Sequence, residues 1–310
     1  MGADYNGARS DPTRSLRVAL RDARPLVLDG ATGTELERRG VRADLPLWSS
    51  WGLLEAPDTL RAIHADYLRA GAGAITAATF RTHARSLAAA GLEGRAAELC
   101  ALALRLAREA SQQTRRSAFV LGSAAPLEDC YHPERVPDDA TLAREHAAHA
   151  HHLAAAGADA ILIETMNTLR EAVAAARAAR EAGSEAVVSF VCGTDGRLLS
   201  GEPLAEALDA VGRLEPLAVG VNCLPPHAVT SCLEALASAG RPFVVYANLD
   251  AKGAPLGARR ADAAPESFAA HALGWTRAGA SAVGGCCGTT PSHLSALARR
   301  VREAGSSPRP

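Results

Sequence analysis

Three cysteines define the chemistry open to this chain. Two are adjacent in Gly284-Gly285-Cys286-Cys287-Gly288-Thr289-Thr290-Pro291, a glycine-rich stretch between a short apolar run and a helix start. The third, Cys223, ends a similar run, Ala218-Val219-Gly220-Val221-Asn222-Cys223. Three thiolates brought to one point bind Zn2+ and leave its fourth tetrahedral position open, the arrangement of catalytic rather than structural zinc. Neighbouring cysteines both reach one ion if the backbone between them turns sharply, and the flanking glycines permit that turn. Two other readings stand beside this one. Free cysteine packs as a small buried hydrophobe, although packing explains little in a glycine-rich loop. A disulfide fits poorly with seven cysteines, an odd number, and no secretory signal.

The elements that must position these residues are legible in the pattern. Short apolar runs lie at Pro25–Asp29, Ala74–Thr79, Ala118–Ser123, Ala160–Glu164, Ala186–Cys192, Leu217–Cys223, Pro242–Asn248 and Ala280–Gly285. Helix-like stretches fall between and after them, at Asp58–Ala70, Arg95–Thr114, Thr141–Ala156, Leu169–Ala182, Leu204–Arg213, Ala228–Ala239, Pro265–Ala278 and Pro291–Ala304. Pro57-Asp58 and Thr290-Pro291 are helix-entry signals. Continuous rather than alternating apolar strands, each followed by a helix, imply a parallel sheet covered by helices. Eight such units predict a single (β/α)8 TIM barrel, with a doubly wound open sheet as the competitor. The spacing in Asp29-Gly30-Ala31-Thr32-Gly33-Thr34 is wrong for a dinucleotide-binding loop. Residues 1–23 read as a polar leader or extra helix, 24–305 as the catalytic barrel and 306–310 as a flexible tail.

A barrel enzyme works at the C-terminal ends of its strands. Those ends here carry Asp29, Thr79, Glu164, Cys192, Cys223, Asn248 and the Cys286-Cys287 pair. Each has a bland alternative. Asp29 before Gly30 could form a turn, and Thr79 and Asn248 could cap the following loops rather than touch a substrate. A carboxylate abutting the buried Ile161-Leu162-Ile163 is costly unless used or paired, which favours a role for Glu164. Cys192 and Cys100 read as buried hydrophobes, and Cys130 and Cys232 offer no geometry. His146, His149, His151 and His152 read as a solvated helix face.

At these residues the chain resembles the homocysteine S-methyltransferase family. Gly220-Val221-Asn222-Cys223 and Gly284-Gly285-Cys286-Cys287-Gly288-Thr289 resemble its zinc motifs. Leu28 to Leu36, Ile75 to Thr82, Leu162-Ile163-Glu164-Thr165, Ser189 to Cys192 with Ser200-Gly201-Glu202, and Tyr246-Ala247-Asn248 are similar to its other strand motifs. The likeness runs in order from about residue 25 to 300, with Ala78 where members often have Asn. It implies the (β/α)8 fold, Zn2+ on Cys223, Cys286 and Cys287, and Asp29 and Glu164 holding the substrate amino group with help from backbone at Gly30. The family's betaine-using branch has an aromatic residue where this chain has Thr165, and a C-terminal extension that this chain lacks. The resemblance therefore points to the branch that uses S-methylmethionine or S-adenosylmethionine.

The expected reaction is methyl transfer from a sulfonium to the homocysteine thiol, forming methionine. Two alternatives stay open: a homocysteine-presenting module that depends on a separate methyl-carrier partner, and transfer to another small thiol or selenol. A third treats the zinc as structural and Asp29 and Glu164 as acid–base groups. A net charge of -1 gives no electrostatic footprint for nucleic acid or a membrane surface. No apolar run approaches a membrane span. With neither a signal core at Met1–Asn6 nor a myristoylation Ser/Thr at position 6, the cytoplasm is the expected compartment. Small-molecule substrates are the expected partners, and the oligomeric state is left open.

Overall fold

The strands form because β-branched and small apolar residues are buried on both faces. The computed structural model describes residues 15–249 and 264–306. Its strands are β1 (Leu26–Val27), β2 (Ala74–Ala77), β3 (Phe119–Ala124), β4 (Ala160–Met166), β5 (Ala186–Phe190), β6 (Ala218–Asn222), β7 (Phe243–Ala247) and β8 (Ala282–Gly285). They form one 8-stranded parallel sheet in the order β1-β8-β7-β6-β5-β4-β3-β2. Closure comes from a parallel bridge between Leu28 and Ala74, with the Gly73 amide donating to the Val27 carbonyl at 2.8 Å. The sheet is thus a (β/α)8 TIM barrel, and the doubly wound alternative is excluded.

Alternation along each strand sorts the core into two shells. Leu28, Ala74, Leu121, Leu162, Val187 and Val244 fill the interior, with Leu16 and Leu20 of the first described turns joining this cluster. Val27, Ile75, Val120, Ile161, Ile163 and Val245 face outward against the helices. The helix Pro57–Ala70 starts on its proline and stops at Gly71, whose φ of 112° few side chains tolerate. The stretch expected as one helix at Ala228–Ala239 is a 3-10 segment, Ala228–Cys232, running into the α-helix Leu233–Ser238. Short helices at Gly33–Arg38 and Trp51–Glu55 lie in the long β1 loop, beyond the expected set.

One expectation is overturned. His146 and His149 are each 2 % exposed and do not form a solvated face. His146 Nε2 lies 3.1 Å from Glu171 Oε1, and His149 Nε2 lies 3.4 Å from the Ser123 carbonyl. The helix turns this edge toward its neighbours, and only His151 is exposed.

Candidate active site

Strands β6 and β8 deliver the three cysteines to the C-terminal mouth. The sulfurs of Cys223, Cys286 and Cys287 all lie within 4.8 Å of one another. Cys223 is buried and Cys286 and Cys287 are half-buried, and all three line a cavity of about 230 Å³. Cys223 adopts a φ of 57°, a left-handed conformation that a side chain adopts at some cost. The glycines before the cysteine pair serve space rather than dihedral freedom. A Cβ on Gly285 would sit 2.3 Å from Thr289 Oγ1, and one on Gly284 would sit 2.9 Å from the Asp29 carbonyl. Only Gly288, after the pair, has a positive φ, at 78°.

The cysteine loop is stapled to its surroundings. Thr289 Oγ1 donates to the Cys286 carbonyl at 2.7 Å and accepts from the Ala31 amide at 3.2 Å. The Cys286 amide donates to the Ala247 carbonyl, and the Cys287 carbonyl accepts from the Leu249 amide, both at 2.8 Å. Tyr67 Oη, from the helix Pro57–Ala70, reaches the carbonyls of Ala31 at 2.8 Å and Thr289 at 3.2 Å.

Two carboxylates line the same cavity. Asp29 accepts from the Thr76 amide at 2.8 Å and from Thr76 Oγ1 at 3.1 Å. Glu164 accepts a short hydrogen bond from Ser123 Oγ. Glu164 continues the inward series of Ala160 and Leu162. A register shift in β4 between Ile163 and Met166 follows, the kind of irregularity that re-aims side chains beside active sites. Thr165, inside it, has a φ of 60°. Asn222 fixes that residue: its Oδ1 accepts from the Thr165 amide at 2.9 Å and its Nδ2 donates to Thr165 Oγ1 at 2.8 Å.

Gly30 lines the cavity with Asp29 and Glu164, whereas Thr79 and Asn248 are not among the lining residues. The Thr79 hydroxyl donates to the Ser123 carbonyl at 2.8 Å, tying β2 to β3. Asn248 lies behind the sulfurs, its Nδ2 3.8 Å from Cys223 Sγ. Among the aromatic residues, Trp48, Phe80, Tyr131 and Tyr246 line the cavity. Trp51 turns away, donating to the Asp44 carbonyl at 3.1 Å beneath the Arg42 guanidinium. Cys130 also lines the cavity, although the sequence offered no geometry for it.

The sequence matches the family model "Homocysteine S-methyltransferase" over residues 26–301. The chain belongs to the homocysteine S-methyltransferase family. It is 31% identical to homocysteine S-methyltransferase YbgG of Bacillus subtilis, over 91% of this chain and 96% of that one. Similarity to a selenocysteine Se-methyltransferase of Brassica oleracea is 30% identity over 89% of this chain and 88% of that one. The crystal structure of the Escherichia coli homocysteine methyltransferase MmuM in its metallated form superposes with a TM-score of 0.80. That pair is 29% identical, covering 92% of this chain and 99% of the other.

In this methyltransferase, the protein's own groups set the charge state of the site. Burial pushes the Asp29 carboxyl up to about 8, against the two hydrogen bonds from Thr76 and with help from the Glu164 charge. Burial likewise raises Glu164 to about 7, opposed by the Ser123 hydrogen bond. Cys223 is held well below the usual thiol range because the Cys286 and Cys287 thiols and the Tyr131 hydroxyl donate to it. Cys286 and Cys287 are pushed up in turn. Tyr131 Oη lies 3.1 Å from Cys223 Sγ.

Thr76, Ser123, Asn222 and Tyr67 were not singled out from the sequence as site residues. For Thr76 and Ser123 the signal was the two-residue period, since each follows by two the inward residues Ala74 and Leu121.

Proposed function

We propose that this chain is a homocysteine S-methyltransferase that takes its methyl group from a sulfonium and holds zinc on Cys223, Cys286 and Cys287. The observation that carries the reading is the convergence of three cysteine sulfurs on a cavity that also holds two buried carboxylates. The donor set fits zinc: three soft sulfurs within reach of one ion, all three from residues that line the cavity, with no fourth His, Cys, Asp or Glu ligand grouped with them among the described residues. A bound zinc ion keeps a coordinated thiol deprotonated near neutral pH.

The chain's own groups then bind and orient. Asp29 and Glu164 take the homocysteine ammonium, which returns charge balance to two carboxyls whose ionised forms burial disfavours. With the ammonium fixed there, the acceptor sulfur is carried toward the cysteines on β6 and β8. Asn248 and Tyr131 direct an amide N–H and a hydroxyl at Cys223, which stabilises negative charge on that sulfur. Transfer is a displacement: a bond forms between the acceptor sulfur and the methyl carbon as the donor sulfur–carbon bond breaks. The electron pair stays on the donor sulfur, which leaves as a neutral thioether, and the acceptor's thiol proton passes to solvent. Alignment of the two sulfurs supplies much of the rate.

A cavity of about 230 Å³ lies below the usual range of ligand sites. It favours S-methylmethionine, an amino-acid-sized donor, over one that carries a nucleoside. The face of Phe80 is already approached by the Arg81 guanidinium, 5.4 Å from the ring centroid. Phe80 is therefore less open to the quaternary ammonium of betaine.

The decisive experiment uses purified chain alone, with zinc content measured and methionine formation assayed with S-methylmethionine. About one zinc per chain and turnover without any other protein support the reading. Turnover only when a methyl-carrier protein is added would replace it with the presenting-module reading. Selenocysteine is a second candidate acceptor, since identity to the Se-methyltransferase is 30% against 31% to the Bacillus subtilis S-methyltransferase. Competition between the two acceptors in one assay assigns the preference.

A further inference from the structure

Arg81 is a buried cation that the mechanism so far leaves unused. It follows Phe80 in the loop after β2, is 4 % exposed and lines the cavity. Its Nη1 donates to the carbonyls of Glu128 at 2.9 Å and Pro126 at 3.3 Å. Its Nε is buried without a hydrogen-bond partner. Among the described residues it makes no ion pair. A buried guanidinium without a counter-charge is costly unless an anion arrives to meet it, and its planar fork matches a carboxylate.

Asp129, in the loop after β3, lines the same cavity. Its Oδ1 accepts from the Tyr131 amide at 2.9 Å, and among the described residues it too makes no ion pair. Opposite charges thus stand in one cavity without pairing with each other. An amino-acid zwitterion presents the complement of both. Asp29 and Glu164 already supply two carboxylates for one ammonium, so a second acid and a lone cation serve a second molecule. Their wall also touches the sulfurs: Tyr131, two residues after Asp129, reaches Cys223 at 3.1 Å.

We propose that Arg81 and Asp129 form the subsite for the amino-acid head of the methyl donor, Arg81 taking its α-carboxylate and Asp129 its α-ammonium. This rests on the methyl-transfer reading above and assigns the donor to the class of α-amino-acid sulfoniums.

The test pairs S-methylmethionine with its carboxamide, which keeps the sulfonium and loses the carboxylate. Calorimetric binding and methionine formation are measured for native protein, Arg81→Gln, Arg81→Lys and Asp129→Asn, with zinc content and circular dichroism as checks on folding. Native protein is expected to prefer the carboxylate donor by about thirty-fold or more, the lower end for a buried charge pair. In Arg81→Gln that preference collapses, the donor KM rises and the homocysteine KM stays unchanged. Asp129→Asn raises the donor KM while keeping the carboxylate preference. Native protein that binds both donors equally overturns the proposal even if no variant folds. A rise in homocysteine KM without a change in donor KM also overturns it, by giving Arg81 to the acceptor. Binding preference without any methyl transfer would sink the catalytic reading and leave the subsite standing.

Discussion

Replacing Glu164 with glutamine separates two effects that act in opposite directions. The side chain is 8 % exposed, and burial raises its carboxyl from 4.5 to about 7. A carboxyl raised by folding contributes stability that is fully present below its unfolded value and lost as pH rises through its folded value. At pH 8 the native charge therefore destabilises the free enzyme by about 3 kcal/mol, the shift converted at about 1.4 kcal/mol per unit. Glutamine keeps an oxygen for the Ser123 hydroxyl and removes the charge, so Glu164→Gln should raise the thermal midpoint at pH 8 and change it little at pH 4. Acceptor binding moves the other way. Breaking a buried charge pair costs about 2–5 kcal/mol, so the homocysteine KM should rise at least about thirty-fold while zinc stays bound. In native enzyme the KM should fall as pH rises from 6 to 8, because the carboxyls ionise to meet the ammonium, and the variant should lose Glu164's share of that slope. Differential scanning calorimetry at the two pH values and initial-rate kinetics across the range check both halves. A variant with lower stability at pH 8 and an unchanged acceptor KM would refute the reasoning.

Cys286→Ala or Cys223→Ala should abolish both zinc binding, read by elemental analysis, and activity; a metal-free variant with full activity would remove zinc from the mechanism. Asn222→Ala leaves the Thr165 amide and hydroxyl buried without partners, so denaturant unfolding should show a loss of about 2–4 kcal/mol. S-methylmethionine should give a higher kcat/KM than S-adenosylmethionine, and betaine little turnover; a clear preference for betaine in side-by-side assays would overturn the donor assignment.

The barrel was legible because its signal is repeated. Eight continuous apolar runs, each ended by a polar residue, leave few folds that bury them, and all eight are strands within a few residues of the expected limits. The cysteine positions were legible for the same reason, since strand ends in a parallel barrel share one face. Less visible was how each residue is held. Asn222 reads in sequence as a neighbour of Cys223, and nothing local says that its amide locks Thr165 on a strand 57 residues away. Thr79 and Asp29 both stand near strand ends, yet only Asp29 turns into the cavity, because side-chain direction there depends on where the regular pleat stops. Arg81 was invisible as a charge of interest because its isolation is a property of the packed loops. His146 and His149 were misread since a polar helix edge declares its burial only when neighbours such as Glu171 arrive.

On the proposed zinc reading, the hydrogen bonds around Thr289 and Tyr67 bear on how a metal would be acquired. In small zinc domains the ion organises the chain, and removing it unfolds the protein. Here the cysteine loop is anchored by backbone bonds to Ala247 and Leu249, and by the Thr289 hydroxyl to the Ala31 amide, none of which involves a sulfur. The site should then behave as a socket rather than a rivet. A chelator should strip the protein to a folded barrel, and cobalt or cadmium should refill it without a refolding step. Cobalt, whose visible spectrum responds to each thiolate and to an incoming one, would then let acceptor binding be watched directly at the sulfurs.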